Sequence, residues 1–335
     1  MTILVTGGAG FIGCNFISEW LSHSQETIVN LDALTYAGNL DNLKNVIANP
    51  QHIFVHGDIN DKTLIDKLLS LYEPKSIINF AAESHVDRSI SDPTHFVKTN
   101  IVGLFNLLDR TRHYWNRLSS SKKQSFCFLQ ASTDEVYGSN ELDGLSFVET
   151  QRFNPSSPYS ATKAAGDHLI HAYYYTYGLP TIIAHSSNNY GPYQFSEKLI
   201  PSLIQKALSN KPLTLYGDGL QSRNWLYIKD ACRAIYYLLK KGKAGERYNV
   251  SSPDTYKNID VALKICSVLD QLKPRLDGAL YQNQISYVMD RLGHDRHYAI
   301  DSNKIRRETG WNTIETFDSG IQKTVQWYLE RSFLL

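Results

Sequence analysis

Three observations predict an α/β fold in which a doubly wound parallel sheet is joined to a smaller, irregular α/β lobe. Short apolar runs alternate with amphipathic stretches over roughly residues 1–190. Turn residues bound the apolar runs, and the stretches between them have helical periodicity. After that, Gly191-Pro192, Gly217-Asp218-Gly219 and Ser252-Pro253 divide the chain into shorter pieces. Strands that alternate with helices indicate a parallel sheet covered on both faces.

The first part of the chain contains the regular elements. Strands are predicted at 3–6, 27–31, 53–56, 76–80, 126–131 and 181–184. Helices are predicted at 11–23, 61–72, from about 93 onward, and at 159–177. Pro93 suits the first turn of a helix, and Gly178 with Pro180 beyond it ends the last one.

The second part, residues 191–335, has helical patterns at 199–208, 228–240, 261–272 and 317–329. We expect it to form the smaller lobe and to bind a substrate. The chain can still cross between the two parts. In open α/β folds, ligands bind at the carboxyl ends of the parallel strands, so the lobe is expected to cover that edge of the sheet.

Composition excludes several classes of protein. The chain has 335 residues, 34 Lys plus Arg against 33 Asp plus Glu, and a net charge of +1. This balance argues against nucleic-acid binding through a basic face. No apolar run approaches the ~18 residues of a membrane span, and no signal-peptide pattern precedes the first strand. Cys14, Cys127, Cys232 and Cys266 are far apart in sequence, which favours reduced thiols and a cytoplasmic location.

A glycine-rich turn follows the first predicted strand and opens the first helix. It reads Thr6-Gly7-Gly8-Ala9-Gly10-Phe11-Ile12-Gly13. Glycines at this spacing permit a tight turn and let backbone amides approach a pyrophosphate, which the helix N-terminus also favours. The strand and helix around the turn predict a Rossmann-type dinucleotide site.

Acidic residues end the next two strands. Asp32 follows Gly13 at the distance where a carboxylate accepts from a ribose 2′-hydroxyl. A carboxylate there would repel a 2′-phosphate, so we predict NAD as the cofactor rather than NADP. Asp58 ends the third strand and is a candidate for facing the adenine.

A second group of residues is predicted to be catalytic. Tyr159 and Lys163 share one face of a predicted helix. An ammonium near a phenol lowers the pKa of the phenol and makes it a usable base. Ser132 and Thr133 end the preceding strand, where a hydroxyl can contact the phenol and a substrate oxygen. Asp134-Glu135 come next, and two carboxyls in different surroundings can serve as an acid and a base.

These motifs, in this order, resemble the extended short-chain dehydrogenase/reductase family, and within it the 4,6-dehydratases of sugar nucleotides. The resemblance runs nearly end to end. The motifs that carry it are residues 7–13, 81–89, 132–138, 159–163, 187–193, 197–201 and 293–296. The Thr133-Asp134-Glu135 segment is the specific part, because related epimerases and decarboxylases generally lack the carboxylate pair.

The resemblance implies a reaction on dTDP-glucose. Tyr159 would take the proton of the C4 hydroxyl as hydride leaves C4 for NAD, with Lys163 beside it and Thr133 polarising the C4 oxygen. Glu135 would remove the C5 proton, and Asp134 would protonate the departing C6 hydroxyl. Return of the hydride to C6 would give a 4-keto-6-deoxy sugar nucleotide without net redox change.

The resemblance also implies the binding residues. For NAD they are Gly7, Gly10, Phe11, Ile12, Gly13, Asp32, Leu34, Thr35, Asp58, Ile59, Ala81, Ala82, Ser84, Thr99, Tyr159, Lys163 and Asn189. For the nucleotide sugar they are Ser84, Thr133, Asn188, Lys198, Leu199, Tyr216, Arg223, Asn258, Arg291 and His294. Lys and Arg are the expected partners of a diphosphate, with Arg223 the strongest candidate.

Three further expectations complete the interpretation. No His, Cys and carboxylate set has the spacing of a metal site. His85 is expected to support the site without reacting, and Asn224 departs from the family, whose members typically have Asp there.

By analogy with relatives, the helix with Tyr159 and the long one from Pro93 are expected to pair in a homodimer. The Tyr173, Tyr174, Tyr175 and Tyr177 cluster lies near the end of the Tyr159 helix.

Two alternatives share the cofactor site. A nucleotide-sugar 4-epimerase, or a 4,6-dehydratase for another sugar nucleotide, would keep Tyr159 and the glycine turn. An epimerase eliminates no water and so has no use for Asp134 and Glu135. A non-catalytic NAD-sensing protein would have no reason to keep Tyr159, Lys163, Thr133 and both carboxyls together.

Overall fold

The computed structural model describes residues 1–140 and 146–331. Strands β1 to β6 are Thr2–Thr6, Thr27–Asp32, His52–His56, Ser76–Asn79, Cys127–Thr133 and Thr181–Ser186. Strands β7 to β13 are Asn188–Tyr190, Leu213–Tyr216, Ser222–Tyr227, Arg247–Val250, Thr255–Lys257, Ile285–Val288 and His297–Tyr298. Helices α1 to α6 are Phe11–His23, Lys62–Tyr72, Val86–Ser91, Thr94–Phe96, Leu104–Asn116 and Ser120–Ser125. Helices α7 to α12 are Pro158–Tyr177, Leu199–Leu208, Ile228–Lys241, Asn258–Leu272, Asn303–Thr309 and Phe317–Arg331.

A seven-stranded parallel sheet in the order β10-β6-β5-β4-β1-β2-β3 forms the centre of the protein. The strands are apolar and largely buried, as expected for a sheet with helices on both faces; Ile3, Val5, Ile78 and Leu129 belong to one core cluster. Leu4, Ile77 and Phe128 lie in the cluster on the other face. The predicted Rossmann-type doubly wound sheet is therefore confirmed.

One strand of this sheet comes from the second part of the chain. Residues Arg247–Val250 of β10 pair in parallel with residues 183–186 of β6. Helix α9 also leaves the smaller lobe and packs against α1. The division into two functional parts at residue 190 stays a prediction, but the path of the chain crosses that boundary.

The long helix predicted from residue 93 is interrupted. Helix α4 leads into a π-helical segment, Val97–Gly103, before α5 begins. Inside this segment the Asn100 side chain accepts from the Glu83 amide at 2.9 Å and donates to the Thr162 hydroxyl at 3.0 Å. A Cβ at Gly166 of α7 would lie 3.2 Å from the Asn100 carbonyl. The π-helical segment thus packs closely against α7 and the loop after β4. The periodicity of the sequence cannot predict such contacts.

The smaller lobe is built from short strands and helices. One sheet has the order β11-β9-β13, with β7 paired to β9, and β12 pairs with β8. Strand β7 directly follows the end of β6, so this lobe begins at the carboxyl edge of the central sheet. Among the described residues, no helix is long and apolar enough to span a bilayer.

Candidate active site

A cleft of about 610 Å³ opens at the carboxyl edge of the central sheet. Its floor comes from the residues that follow β1, β4, β5 and β6, including Gly7, Ala82, Asp134 and Asn188. The smaller lobe supplies the opposite wall, including Arg223. The cleft therefore joins the predicted cofactor turn, the predicted catalytic residues and the predicted substrate residues in one space.

The glycine turn has little room for side chains. Gly7 has φ +74°, and a Cβ there would lie 2.5 Å from the Ala81 amide nitrogen. A Cβ at Gly13 would lie 2.3 Å from the Gly7 carbonyl oxygen. At Gly10, by contrast, the nearest atom would be the Gly7 oxygen at 3.4 Å, and no side chain caps the start of α1. This leaves open space and uncapped amides at a helix N-terminus, which fits a dinucleotide pyrophosphate.

Asp32 is buried at the end of β2. Its carboxylate accepts from the backbone amides of Ala9 and Leu34, each at 2.8 Å. Burial raises the pKa of Asp32, and the two amides oppose that rise. Two carboxylate oxygens offer about four acceptor positions, so Asp32 keeps capacity for a ribose hydroxyl. Asp58 is exposed and accepts from the amide and side chain of Asn60 in a turn.

The predicted NAD residues fall into two groups. One group lines the cleft: Gly7, Gly10, Phe11, Ile12, Gly13, Ala82, Ser84, Tyr159, Lys163 and Asn189. The other lies outside the cleft lining, after β2, β3 and β4 or in the π-helical segment: Asp32, Leu34, Thr35, Asp58, Ile59, Ala81 and Thr99. Because β2 and β3 run parallel to β1, most of the second group shares the carboxyl edge of the sheet with the glycine turn.

Tyr159 and Lys163 lie in the first turns of α7. Ser157 caps this helix with reciprocal bonds to Ser160, which fixes where the helix begins. The Lys163 ammonium donates to the Ala131 carbonyl at 2.8 Å, and burial lowers the pKa of Lys163 to about 8.

The pKa of the Tyr159 phenol differs from the sequence-based expectation. Burial and then the charge of Glu135 raise the pKa of Tyr159, while its hydrogen bond with Thr133 opposes the rise. Lys163 was expected to lower that pKa, but its ammonium is held at the strand carbonyl of Ala131. Position on one helix face therefore does not by itself lower the pKa of the phenol.

Asp134 and Glu135 begin the short 3₁₀ helix Asp134–Tyr137, which Thr133 caps by accepting from the Glu135 amide at 3.2 Å. Burial and then the neighbouring Glu135 charge raise the pKa of Asp134 far above its usual value, against the lowering effect of Arg223. Burial also raises the pKa of Glu135, but Arg291, Lys198 and Arg223 all oppose that rise. The environments therefore favour the protonated form at Asp134, while the cations around Glu135 counteract the effect of its burial.

All ten predicted substrate residues line the cleft: Ser84, Thr133, Asn188, Lys198, Leu199, Tyr216, Arg223, Asn258, Arg291 and His294. The Lys198 ammonium donates to the Ser84 carbonyl at 2.8 Å. The Arg223 guanidinium donates to the carbonyls of Ser222, Asp295 and Arg296 and stacks on the Tyr298 ring at 3.9 Å. These contacts hold a buried cation at the cleft wall.

His85 and Asn224 have structural partners. His85 lines the cleft with its Nε2 3.1 Å from the Glu197 carboxylate, and its Nδ1 accepts from the Arg88 amide. The Asn224 amide donates to the carbonyls of Ser252 and Asp254, and its oxygen accepts from the Ile300 amide. A carboxylate at position 224 would face those two carbonyl oxygens without a proton to donate, so Asn is the matching residue here.

Sequence reasoning missed a buried polar cluster behind the catalytic strand. The Asp167 carboxylate accepts from the Ser132 hydroxyl at 2.7 Å and lies 2.9 Å from His185 Nε2. His185 Nδ1 lies 3.1 Å from the Tyr137 hydroxyl. The sequence contains one indication of this cluster, which is that Asp167 follows Lys163 by four residues. Within residues 1–140 and 146–331, no group of His, Cys, Asp and Glu is arranged to hold a metal ion.

Comparison with known proteins gives a consistent result. A family model described as GDP-mannose 4,6 dehydratase matches residues 4–324. A dTDP-glucose 4,6-dehydratase from Xanthomonas campestris pv. campestris is 53% identical over 98% of this chain and 93% of its own.

Solved structures agree with the sequence matches. A dTDP-glucose 4,6-dehydratase from Bacillus anthracis, crystallised with NAD, is 42% identical with a TM-score of 0.87, and the match covers 99% of this chain and 98% of that one. The enzyme of that name from Streptomyces venezuelae, also crystallised with NAD, is 40% identical with a TM-score of 0.89 over 99% of this chain and 98% of that one. The resemblance found in the sequence is therefore confirmed. The chain belongs to the sugar-nucleotide 4,6-dehydratases of the extended short-chain dehydrogenase/reductase family.

Proposed function

We propose that this protein is an NAD-dependent dTDP-glucose 4,6-dehydratase, which converts dTDP-glucose to dTDP-4-keto-6-deoxyglucose and water. The observation that carries the proposal is the pair Asp134 and Glu135 at the end of β5. Burial and the Glu135 charge favour the protonated form of Asp134, whereas Arg291, Lys198 and Arg223 oppose the rise in the pKa of Glu135. Elimination of water needs an acid and a base together, and this pair supplies both.

The cofactor proposal rests on the glycine turn and Asp32. The open space at Gly10 and the uncapped start of α1 suit a pyrophosphate, and the buried Asp32 carboxylate suits a ribose with a free 2′-hydroxyl. A 2′-phosphate would meet that carboxylate, which favours NAD over NADP. When bound, NAD supplies the hydride acceptor for C4 and the hydride donor for C6.

Oxidation at C4 is assigned to Tyr159, with Thr133 and Lys163. Tyr159 takes the proton of the C4 hydroxyl, and Thr133, which opposes the rise in the pKa of the phenol, polarises the C4 oxygen. Lys163 contributes positive charge and anchors α7 to β5 through the Ala131 carbonyl. The base in this step is the phenolate form of Tyr159, and the two elements hold it in the fixed geometry that proton transfer from a sugar hydroxyl requires.

Elimination across C5 and C6 is assigned to the two carboxyls. The 4-ketone acidifies the C5 proton, and Glu135 removes it. Asp134 gives its proton to the C6 hydroxyl, which leaves as water. The Oδ2 atom of Asp134 is buried and has no hydrogen-bond partner among the described residues, so it is free to contact a substrate hydroxyl. Glu135 then returns its proton to C5 as C6 is reduced.

The diphosphate is assigned to the cations of the cleft wall. Lys198, Arg223 and Arg291 all line the cleft and all act on the charge of Glu135, so they lie near the reacting carboxyl. Ser84, Asn188, Leu199, Tyr216, Asn258 and His294 complete the proposed substrate contacts. A diphosphate between these cations would place the sugar beside Thr133 and Tyr159.

A substrate panel tests the function. The purified protein is incubated with dTDP-, UDP-, GDP- and CDP-glucose and with GDP-mannose, and products are analysed by mass spectrometry. We expect the loss of one water from dTDP-glucose and formation of a 4-keto-6-deoxy sugar nucleotide. Dehydration of another sugar nucleotide alone would overturn the dTDP assignment. A product of unchanged mass would indicate a 4-epimerase, and the absence of any product would favour a non-catalytic NAD-binding protein.

We also propose a homodimer that pairs α5 and α7 with their copies. Supporting this, apolar side chains are exposed on these helices and the adjoining π-helical segment: Val97, Val102, Phe105, Tyr175 and Tyr177. Light scattering should give twice the chain mass of 38.1 kDa. Phe105→Glu should shift the protein to monomer, whereas Leu276→Glu, at a more exposed position that lies outside these helices, should not. A monomeric wild-type protein would refute the proposal.

A cytoplasmic location is proposed on the state of the cysteines. Cys14, Cys127, Cys232 and Cys266 are all free thiols, three of them buried. Free thiols are usual where glutathione keeps proteins reduced. Fractionation of cells that produce the protein should recover it with cytoplasmic markers, and recovery in a secreted fraction would contradict this assignment.

A further inference from the structure

The residues assigned to the elimination of water lie on one short stretch, residues 132–137, which we call the catalytic segment. It consists of the last two residues of β5 and the 3₁₀ helix Asp134–Tyr137. The residues assigned to catalysis lie between Ser132 at one end and Tyr137 at the other. Both end residues are buried, with exposed fractions of 8% and 2%. The catalytic role of the segment rests on the proposed function.

One buried pair of side chains is bonded to both ends of the catalytic segment. The Ser132 hydroxyl donates to Asp167 Oδ2 at 2.7 Å, and His185 Nε2 lies 2.9 Å from the same oxygen. The other ring nitrogen of His185, Nδ1, lies 3.1 Å from the Tyr137 hydroxyl. Asp167 belongs to α7 and His185 to β6. A single pair therefore ties both ends of the segment to a helix and to the central sheet.

The donors and acceptors around His185 are matched. Asn249 Nδ2 donates to the Phe147 carbonyl at 2.9 Å, so Asn249 Oδ1 is the atom that accepts from the Tyr137 hydroxyl, also at 2.9 Å. Because a phenol has one proton, the Tyr137 oxygen accepts from His185 Nδ1. A proton between His185 Nε2 and Asp167 Oδ2 completes the set and leaves the pair without net charge. Each of these contacts then has one donor and one acceptor, which buried polar groups require.

The pair lies behind the cleft. Asp167 and His185 are 2% and 0% exposed, and the cleft lining includes neither of them nor Tyr137. Their effect on a molecule in the cleft would therefore pass through the catalytic segment. Geometry matters at this point, because a misplacement of about 1 Å can slow a reaction by about 10²-fold.

We propose that Asp167 and His185 are positioning residues, which clamp the catalytic segment at both ends and thereby hold its carboxyls in place for the elimination of water. Tyr159 lies on α7, outside the segment, so oxidation at C4 depends less on the clamp than elimination does. Loss of one end should displace the carboxyls while Tyr159 and the cations of the cleft wall stay in place. The clamp itself transfers no proton to or from the substrate.

Tyr137→Phe tests the clamp, because it removes the bond at one end and keeps the aromatic ring. On the sugar nucleotide that the wild-type enzyme dehydrates, kcat should fall by about 10–10²-fold while KM stays near its wild-type value. Elimination should slow more than C4 oxidation, so the absorbance of reduced cofactor at steady state should rise. Asp167→Ala removes the bond at the other end and should act in the same direction. The double variant should lose little more than the worse single variant, because either loss frees the segment.

Tyr248→Phe is the matched control. Tyr248 is fully buried outside the cleft lining, and its hydroxyl donates to Glu308 at 3.0 Å. The control should lower Tm as Tyr137→Phe does and leave kcat and the absorbance of reduced cofactor unchanged. If Tyr137→Phe lowers Tm alone, the pair only stabilises the fold and the proposal is overturned. A lower kcat without more reduced cofactor would overturn it too, because all steps would then be affected alike.

A measurement without substrate separates the clamp from the proposed function. Hydrogen–deuterium exchange, followed by mass spectrometry, reports how often the backbone of residues 132–137 opens. Exchange there should be faster in Tyr137→Phe than in the wild-type protein and unchanged in Tyr248→Phe. Unchanged exchange in Tyr137→Phe would show that the pair does not hold the segment, whichever sugar nucleotide the enzyme dehydrates. Failure of the substrate assignment appears only in the wild-type substrate panel, so the two failures give different results.

Discussion

Asp134 and Glu135 are adjacent in sequence and differ in the charges around them. Asp134 is almost completely buried and faces the negative charge of Glu135, while three cations act on Glu135. The strand ends at Thr133 and passes at once into a 3₁₀ helix, where Asp134 is buried and Glu135 is partly buried. A single acidic residue in this position would not supply both proton donor and acceptor.

Glu135→Gln tests the base. Gln keeps the shape and cannot accept the C5 proton, so exchange of that proton with solvent should fall by about 10²–10⁴-fold. The first hydride transfer, followed as the absorbance of reduced cofactor, should remain measurable. Asp134→Asn is the matched comparison and should retain exchange while blocking loss of water. Exchange at the wild-type rate in Glu135→Gln would show that another group is the base.

Lys163 predicts a pH dependence. Burial lowers its pKa to about 8, so the side chain is mainly an ammonium at pH 7 and mainly neutral at pH 9. If its positive charge assists deprotonation at C4, kcat/KM should fall as pH rises through about 8. Lys163→Arg retains charge over the whole range and should lose that basic limb, even if its rate is lower. A limb that persists in Lys163→Arg belongs to another group.

Among single residues, the sequence predicted the parts of the site in which residues are consecutive or one helical turn apart. Thr133, Asp134 and Glu135 follow a strand directly, and Tyr159 and Lys163 share a helix face, so local geometry brings each set together. Asp167 and His185 were not predicted because they lie on different elements and meet only in the folded protein. The raised pKa of Tyr159 was also missed, since it depends on burial and on the charge of Glu135, which lies on another element.

Among the elements, the glycine turn and α7 were predicted close to their observed bounds, because their signals are local. The turn joins β1 to α1, and a capping box starts α7. The π-helical segment was not predicted, since Asn100 is held by residues from the loop after β4 and from α7. Strand β10 was not identified either, because its partner is far away in sequence.

Two substitutions in the glycine turn separate its contribution to stability from its contribution to NAD binding. Gly13→Ala places a Cβ 2.3 Å from the Gly7 carbonyl oxygen, so the backbone must shift. The free energy of unfolding should fall by about 1–3 kcal/mol, and the variant should no longer bind NAD. Gly10→Ala has no such clash and should keep its Tm while NAD binding weakens, because the Cβ enters the space assigned to the pyrophosphate. Thermal unfolding and NAD content after denaturation measure the two effects. Equal stability of both variants would contradict this prediction.

For the whole molecule, the cleft has walls from both parts of the chain, and the parts are also joined away from it. Lys198 reaches the Ser84 carbonyl, and the Glu197 carboxylate lies beside His85. Strand β10 and helix α9 return from the second part to pack on β6 and α1. The two-part division of function stays a prediction, and the path of the chain crosses the boundary at residue 190.

The return of β10 means that the cofactor half cannot be transplanted as a module. A fragment ending at residue 190 would expose the free edge of β6 and uncover the face of α1 that α9 covers, both of which promote aggregation. We expect residues 1–190 produced alone to be insoluble, and size-exclusion chromatography can check this. A soluble fragment that binds NAD would contradict the expectation. Chimeras with other enzymes of this fold should therefore exchange β10 and α9 together with the first 190 residues.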